Sequence, residues 1–310
     1  MPLGTNGTRP PGSGDAAIRF AAFDLDGTLL DADGCFRPNI AERLSGLRRR
    51  GLVPLVVSGR SVTSFLRVDP GGGTLAALED HVLLGDGNVL LRRGTGEITV
   101  LRRLPDAALT RLLDHGVTDL VAEIDGTQLA WSRRARLRYA HAYDVPRSCL
   151  GLHSSRTVPS GALTGIAIFE PLATPTEILA GLPHEWDRIS SFDALLIRPH
   201  GTCKATGLAD YLTRYRAPAG LQEVVSFGDA YNDGCLLGSS GIGIAVSNAD
   251  SIAARYSDLQ LREPVEDFLA SFDPVAAAAV PRVRARTERA RTPSAPCFGG
   301  HVRLPPARQG

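Results

Sequence analysis

The sequence predicts an α/β protein with a doubly wound, parallel-sheet (Rossmann-like) core and an inserted α+β domain. Two apolar runs near the start, at residues 18–23 and 52–57, each end in polar turn residues, and a helical pattern separates them. That order forms a βαβ unit, which is typical of a parallel sheet. From about residue 64 the apolar runs are shorter and alternating, and the first pattern returns after residue 197. The interruption predicts that a second domain is inserted into the first.

Length and charge limit the possible function classes. A chain of 310 residues is long enough to form two domains. Its formal net charge of +1 gives no bulk attraction for nucleic acid or a membrane surface, and no apolar run is long enough to span a bilayer. We therefore expect neither nucleic acid nor membrane as a partner. Reduced thiols and a cytoplasmic location are favoured by five scattered cysteines without a C-x-x-C pattern, namely Cys35, Cys149, Cys203, Cys235 and Cys297.

Both ends of the chain lack apolar periodicity. Residues 1–16 are rich in Gly, Pro and Thr, and residues 274–310 are rich in Ala, Arg and Pro. Such compositions bury too little apolar surface to offset the entropy of ordering. We predict a disordered leader and a disordered tail.

The first apolar run ends in Asp24 and Asp26, followed by Gly27 and Thr28. In an extended segment, side chains two residues apart point to the same side. Two neighbouring carboxylates repel each other unless a cation or a proton lies between them. The pattern is typical of a metal-assisted phosphoryl-transfer site, whereas the alternative is a solvated turn with an Asp cap.

A helix and a second strand complete the first part of the core, at residues 17–62. Apolar residues with helical spacing predict a helix within 38–50, and Gly51 ends it. The strand at 52–57 is followed by Ser58 and Gly59. In open α/β sheets, ligands bind at the carboxyl ends of the strands, so this turn is a candidate for the same site.

Residues 63–197 are predicted to form the inserted α+β domain. Short alternating runs indicate strands, and two apolar periodic stretches indicate helices near 106–114 and 175–182.

The core pattern resumes over residues 198–273. A helix is predicted to begin around Lys204, and a strand at 224–227 is followed by Asp229, Asn232 and Asp233. A short buried strand within 241–246 comes next. The alternative for Asp229 and Asp233 is that this i,i+4 acidic pair only stabilises the positive end of a helix dipole at the helix N-terminus.

Lys204 is the only lysine among 34 basic Lys and Arg residues. A lysine ammonium is a compact point charge that the planar arginine guanidinium does not reproduce. Its retention in an Arg-rich chain makes Lys204 a candidate site residue, while the alternative is an ordinary surface lysine.

Four segments, in order, carry a family resemblance: DLDGTLL, VVSGR, GTCKATGL and FGDAYNDGCLL. Together they resemble the motifs of the haloacid dehalogenase-like hydrolases over residues 17–270. They are most similar to the Cof-type sugar-phosphate phosphatases, whose type IIB cap domain lies between the second and third motifs. Ala230 stands where a second glycine is usual in the last motif.

The resemblance implies a phosphoric monoester hydrolase that acts on a small phosphorylated metabolite, with Mg²⁺ as cofactor. It implies an aspartyl-phosphate intermediate, with Asp24 as nucleophile, Asp26 as general acid and base, and Lys204 as a balancing charge. The implied metal ligands are Asp24, the Asp26 main-chain carbonyl, Asp229 and Asp233. The implied phosphate-binding residues are Thr28, Ser58, Gly59, Lys204 and Asn232. Weaker candidates for substrate specificity are Asp86, Gly87 and Asn88.

Two other functions fit the same motifs. A phosphosugar mutase moves a phosphate within a sugar instead of releasing it. A sugar-phosphate-binding regulatory protein binds without turnover, although the complete acidic set argues against it. A sugar phosphatase remains the preferred prediction.

Overall fold

The computed structural model describes residues 17–69, 73–155, 157–170, 177–189 and 193–274. The predicted leader at 1–16 lies outside the described residues, as does all of the predicted tail except residue 274.

Strands and helices alternate in both core segments of the described chain. The strands are β1 (Phe20–Phe23), β2 (Val53–Val56), β3 (His81–Leu84), β4 (Val89–Arg92), β5 (Glu97–Val100), β6 (Leu120–Ile124), β7 (Thr127–Ala130), β8 (Gly151–Leu152), β9 (Leu163–Ile168), β10 (His184–Ile189), β11 (Ala194–Pro199), β12 (Val224–Gly228), β13 (Ile242–Ala245) and β14 (Leu259–Gln260). The helices are α1 (Ile40–Arg49), α2 (Val62–Phe65), α3 (Asp106–Asp114), α4 (Arg133–Ala142), α5 (Lys204–Tyr215), α6 (Gly234–Ser239), α7 (Ser251–Tyr256) and α8 (Val265–Ser271). The alternation is β1, α1, β2 in the first core segment and β12, α6, β13 in the second.

The core sheet is parallel and has the strand order β14-β13-β12-β1-β2. Apolar side chains of α1 and α8 pack on one face, and those of α5 and α6 pack on the other. At the centre, the rings of Phe23 and Phe227 stack with their centroids 4.7 Å apart. Helices on both faces of a parallel sheet confirm the predicted doubly wound core.

A small antiparallel sheet, β3-β4-β5, extends the core beside β2. Val57 and Leu83 form a parallel bridge between the two sheets. Buried side chains between residues 65 and 91 belong to the same apolar clusters as β1. Sequence alone put these residues in the inserted domain, from residue 63. Because their apolar surface is buried in the core, we propose that the insertion begins near residue 103.

The second domain is built on a six-stranded sheet with the order β10-β11-β9-β6-β7-β8. One face packs against α3 and the other against α4, each with its own apolar cluster. This mixed architecture confirms the predicted inserted α+β domain, which we call the cap. No helix among the described residues is long and apolar enough to cross a membrane.

The predicted helices and strands match the observed elements of the core better than those of the cap. The predicted helix at 106–114 is α3, and the helix predicted from Lys204 is α5. The helix predicted at 175–182 lies partly outside the described residues, and residues 177–182 form turns. That helical interpretation is wrong for the described part of the segment.

Gly87 and Gly207 bring a core loop into direct contact with α5. Gly87 has a φ of +86°, which favours glycine. A Cβ built on Gly207 would lie 2.1 Å from the carbonyl oxygen of Gly87. Only glycine at 207 allows the loop at 85–88 to lie against the first turns of α5.

We predict that Gly207→Ala destabilises the protein although alanine is the better helix former. Helix propensity favours the change by about 1 kcal/mol, but the backbone contact makes the net effect a loss of about 2 kcal/mol. The free energy of unfolding from chemical denaturation measures the change.

Gly46→Ala is the matched control, because a Cβ in the middle of α1 would meet only arginine side-chain ends, at 3.4 Å or more. It is expected to stabilise the protein by about 0.5–1 kcal/mol. Equal effects of the two substitutions would contradict the role of the loop contact.

Candidate active site

Three core strands end at one edge of the parallel sheet, and each is followed by a predicted site residue. Asp24 follows β1, Ser58 follows β2 within two residues, and Asp229 follows β12. Parallel strands in register carry their carboxyl ends to the same edge. The topology therefore collects residues that are far apart in the chain.

Lys204 joins two of these segments through a buried ion-pair cluster. Its Nζ donates to Asp24 Oδ1 at 2.7 Å and to Asp233 Oδ1 at 2.6 Å. The Lys204 and Asp233 side chains are fully buried, and that of Asp24 is 7% exposed. The lone lysine of the chain is therefore not a surface residue.

Electrostatics keep Lys204 charged in this interior position. Burial alone would lower the pKa of the ammonium, but attraction by Asp233 and Asp24 raises it well above its usual value. Burial raises the pKa of Asp24, against the opposing effect of Lys204, and the charge of Asp233 raises it further.

Asp233 also shapes the loop that follows β12. Its Oδ2 accepts hydrogen bonds from the backbone N–H groups of Asp229, at 3.0 Å, and Ala230, at 3.1 Å. Both Asp233 oxygens are thus bonded within the protein. The arrangement favours a role for Asp233 in orienting the loop and Lys204.

Asp229 has one carboxylate oxygen without a hydrogen-bond partner in the described part of the chain. This atom, Oδ1, is buried. Burial raises the pKa of Asp229 to about 7, and the nearby charge of Asp233 adds to the effect. Gly27, with a φ of +74°, lies so close that a Cβ there would be 2.1 Å from Asp229 Oδ2.

The acidic cluster fits a hard divalent cation. Oxygen atoms of Asp24, Asp229 and Asp233 lie within 4.8 Å of one another. Carboxylate oxygens suit Mg²⁺, and a cation there would also satisfy the buried Asp229 oxygen. The residues present therefore fit the predicted metal.

Asp26 lies apart from the buried cluster and is held by Arg60. The pair is bidentate: Nε donates to Oδ2 at 2.8 Å and Nη2 donates to Oδ1 at 2.7 Å. Arg60 Nη1 also donates to Ser64 Oγ at 3.0 Å. Arg60 directly follows Ser58 and Gly59 in the chain but was not among the predicted site residues.

Ser58 and Thr28 are fully buried. Ser58 Oγ accepts a hydrogen bond from the Arg60 backbone N–H at 3.2 Å. Thr28 Oγ1 has no hydrogen-bond partner among the described residues. A Cβ built on Gly59 would lie 3.5 Å from Asn232 Nδ2, so these two predicted phosphate-binding residues also face each other.

Arg37, which sequence analysis also missed, fixes the turn after Asp26. It donates to the carbonyl oxygens of Thr28, at 2.9 Å, and Gly27, at 3.0 Å. The same guanidinium contacts Asn248 Oδ1 at 3.1 Å. Nothing in the local pattern around Arg37 signals this contact, because its partners lie elsewhere in the chain.

Asp86 links the core to the cap. It is buried, and its Oδ2 accepts from Arg198 Nη1 on β11 at 2.6 Å. Asn232 Nδ2 donates to Asp86 Oδ1 at 3.0 Å.

Asn88 also bridges the two domains, since its Nδ2 donates to the Thr164 carbonyl oxygen on β9 at 3.3 Å. Asp86 and Asn88 thus lie on a loop that contacts both the core and the cap, and Gly87 packs on α5.

Comparison with known proteins confirms the resemblance carried by the four motifs. The profile of a family described as haloacid dehalogenase-like hydrolase matches residues 21–270. The HMP-PP phosphatase of Enterobacter sp. (strain 638) is 29% identical over 247 residues, covering 74% of this chain and 85% of that protein. The phosphoglycolate phosphatase of Aeropyrum pernix is 26% identical over 255 residues, covering 80% of this chain and 89% of that protein.

Solved structures share the fold. A haloacid dehalogenase-like hydrolase from Bacteroides thetaiotaomicron superposes with a TM-score of 0.66 at 18% identity, covering 82% of this chain and 98% of that one. A protein described as a HAD subclass IIB sugar phosphatase superposes with a TM-score of 0.65 at 16% identity, covering 83% of this chain and 100% of that one.

We predict that Lys204→Met destabilises the protein by about 3–5 kcal/mol, because it leaves Asp24 and Asp233 buried together without a cation. The free energy of unfolding, measured with a chelator present, tests the prediction. Arg92→Met is the control, since Arg92 pairs with Asp80 at the surface, where both side chains are more than 40% exposed. It is expected to cost less than about 1 kcal/mol. Equal costs would contradict the interior role of Lys204.

Proposed function

Because the chain belongs to the haloacid dehalogenase-like hydrolases, we propose that it is a Mg²⁺-dependent phosphatase of a small phosphorylated metabolite. A sugar phosphate is the preferred substrate class, and the reaction passes through an aspartyl-phosphate intermediate. The observation that carries the proposal is the buried Lys204 ammonium between Asp24 and Asp233, together with a buried Asp229 oxygen that no described residue hydrogen-bonds.

Asp24 is positioned to act as the nucleophile. Its carboxylate lies at the end of β1, and Lys204 offsets its charge at 2.7 Å. Attack of a carboxylate oxygen on phosphorus forms the aspartyl-phosphate and breaks the bond to the leaving oxygen. The ammonium stabilises the negative charge on the phosphoryl group during the transfer.

Asp26 is proposed to handle the protons. It donates one to the leaving oxygen and later takes one from the water that hydrolyses the intermediate. Its carboxylate lies outside the buried cluster and is 55% exposed, so it reaches solvent. Arg60 keeps it in one orientation through two hydrogen bonds.

Asp24, Asp229 and the Asp26 carbonyl would hold Mg²⁺, and Asp233 would orient this set through its bonds to Lys204 and the loop. When bound, the ion supplies positive charge for the phosphate and for the attacking carboxylate. Ser58, Gly59, Thr28 and Asn232 would complete the phosphate-binding site through hydroxyl, amide and backbone N–H groups.

The relatives support a phosphoric monoester hydrolase. Two of them are named phosphatases, and a structural neighbour is described as a sugar phosphatase. We also propose a cytoplasmic location, which five scattered cysteines without a C-x-x-C pattern favour.

The function is tested by phosphate release from a panel of monoesters with Mg²⁺ and with a chelator. We expect release from at least one sugar phosphate, no release with the chelator, and a loss of about a thousandfold or more in Asp24→Asn. Asp114→Asn, an exposed substitution at the end of α3, is the control and should leave the rate unchanged. Isomerisation without release would indicate a mutase, and binding without either reaction would indicate a regulatory protein.

We predict that Arg60→Lys slows the hydrolysis of substrates whose leaving group needs a proton. A single ammonium does not reproduce the bidentate hold on Asp26. The kcat for ribose 5-phosphate should fall about tenfold or more, and that for 4-nitrophenyl phosphate, with its acidic leaving group, should fall less than about threefold.

Arg92→Lys, which alters an exposed pair, controls for the loss of a guanidinium. Equal losses with both substrates would contradict the positioning role of Arg60.

A further inference from the structure

A cavity of about 50 Å³ lies between the core and the cap. Its core side is lined by Gly59, Ser61 and Asp86, next to the proposed phosphate site, and its cap side by Val121, Glu123 and Tyr143. A cavity needs a volume of roughly 10–15 Å³ to hold a single water. The space therefore suits a few waters or a compact organic group attached to the phosphate.

Glu123 is an unused polar group in this cavity. Its Oε1 is buried and has no hydrogen-bond partner among the described residues. Burial raises the pKa of Glu123 to about 7, although a hydrogen bond from Gln128 opposes the effect. Leaving a buried acceptor unsatisfied costs roughly 1–3 kcal/mol, and the proposed phosphoryl transfer does not use this carboxyl.

Space beside Glu123 is kept open by a glycine. Gly165 is its cross-strand partner in the β6–β9 pair. A Cβ built on Gly165 would meet only the Ile197 carbonyl oxygen, at 3.7 Å. The rings of Tyr139 and Tyr143, with centroids 4.3 Å apart, line another side of the cavity. The pocket thus offers ring surfaces and the Glu123 oxygen that no described residue hydrogen-bonds.

Glu123 also sets the sign of the charge in the cavity. The charged residues among those that line it are Asp86, Glu123 and Arg198. Asp86 and Arg198 are paired at 2.6 Å and are both buried, so their charges offset each other. Above its pKa of about 7, the ionised Glu123 therefore makes the pocket net negative.

We propose that Glu123 selects substrates whose leaving group is uncharged or cationic and donates a hydrogen bond. Hydroxyl-bearing sugars and amino-bearing rings share this chemistry, whereas a leaving group with its own carboxylate is repelled. The inference rests on the proposed phosphatase function and deepens it, because it disfavours phosphoglycolate as the substrate.

The test compares ribose 5-phosphate, pyridoxamine 5′-phosphate and phosphoglycolate as substrates of the full chain with Mg²⁺. The unmodified protein should prefer at least one of the first two over phosphoglycolate by about tenfold or more in kcat/KM. Glu123→Gln keeps the shape of the side chain and removes its charge. It should reduce that preference about tenfold, in part by raising kcat/KM for phosphoglycolate. A preference that Glu123→Gln leaves unchanged overturns the proposal.

Gly165→Ala provides a second variant that does not alter Glu123. The added methyl should lower kcat/KM for the preferred ring substrate at least about threefold and leave acetyl phosphate, which carries no ring, unchanged. Equal losses with both substrates would assign the cavity a structural role and count against the proposal. Melting temperatures of both variants confirm that they are folded.

Calorimetric binding without Mg²⁺ separates this inference from the phosphatase function. The phosphatase function fails if no substrate is hydrolysed. The selectivity of Glu123 still stands in that case if Glu123→Gln narrows the difference in affinity between ribose 5-phosphate and phosphoglycolate. The role of Glu123 is overturned if the difference in affinity between the two compounds is the same in both proteins, or if neither compound binds.

Discussion

The buried ammonium of Lys204 is the constraint on which the site depends. Asp24 is 180 residues away from it in the chain and Asp233 is 29 residues away. Removing charges from water is tolerated only when partners lie within hydrogen-bond distance. The sheet order, the start of α5 and the loop after β12 must therefore all be correct at once. The same interaction that would serve catalysis also fixes how three elements meet.

Close backbone approaches make this convergence possible. Gly27 lets the turn after β1 reach Asp229, and Gly207 lets the loop at 85–88 lie on α5. That loop carries Asp86, which bonds both Asn232 in the core and Arg198 in the cap. Asn232 directly precedes Asp233 of the buried cluster, and Arg198 lines the cavity between the domains. Small residues at a few positions decide how charged side chains are arranged around them.

The core and its motif residues were predictable because they are local signals repeated at the ends of strands. Asp24, Ser58, Lys204 and Asp229 each follow or begin an element whose period is visible in the sequence. Their proposed roles remain predictions, but their convergence follows from parallel topology. Arg60, Arg37 and Glu123 were not predictable, because their significance lies in partners or space contributed by distant segments. The cap was predicted to start at residue 63, and we propose a start near residue 103 because buried side chains up to residue 91 pack in the same clusters as β1. The sequence pattern does not distinguish the two placements, since the runs after residue 64 alternate as strands of either domain would.

The burial of Lys204 also determines how the protein presents itself to reagents. No other lysine exists in the chain, and the side chain of this one is fully buried in the folded state. The folded protein consequently offers no lysine amine for acylation, ubiquitin transfer or amine-directed crosslinking. Its surface positive charge comes from arginine, which those reactions do not modify. Acylation of Lys204 would therefore report that the core has opened.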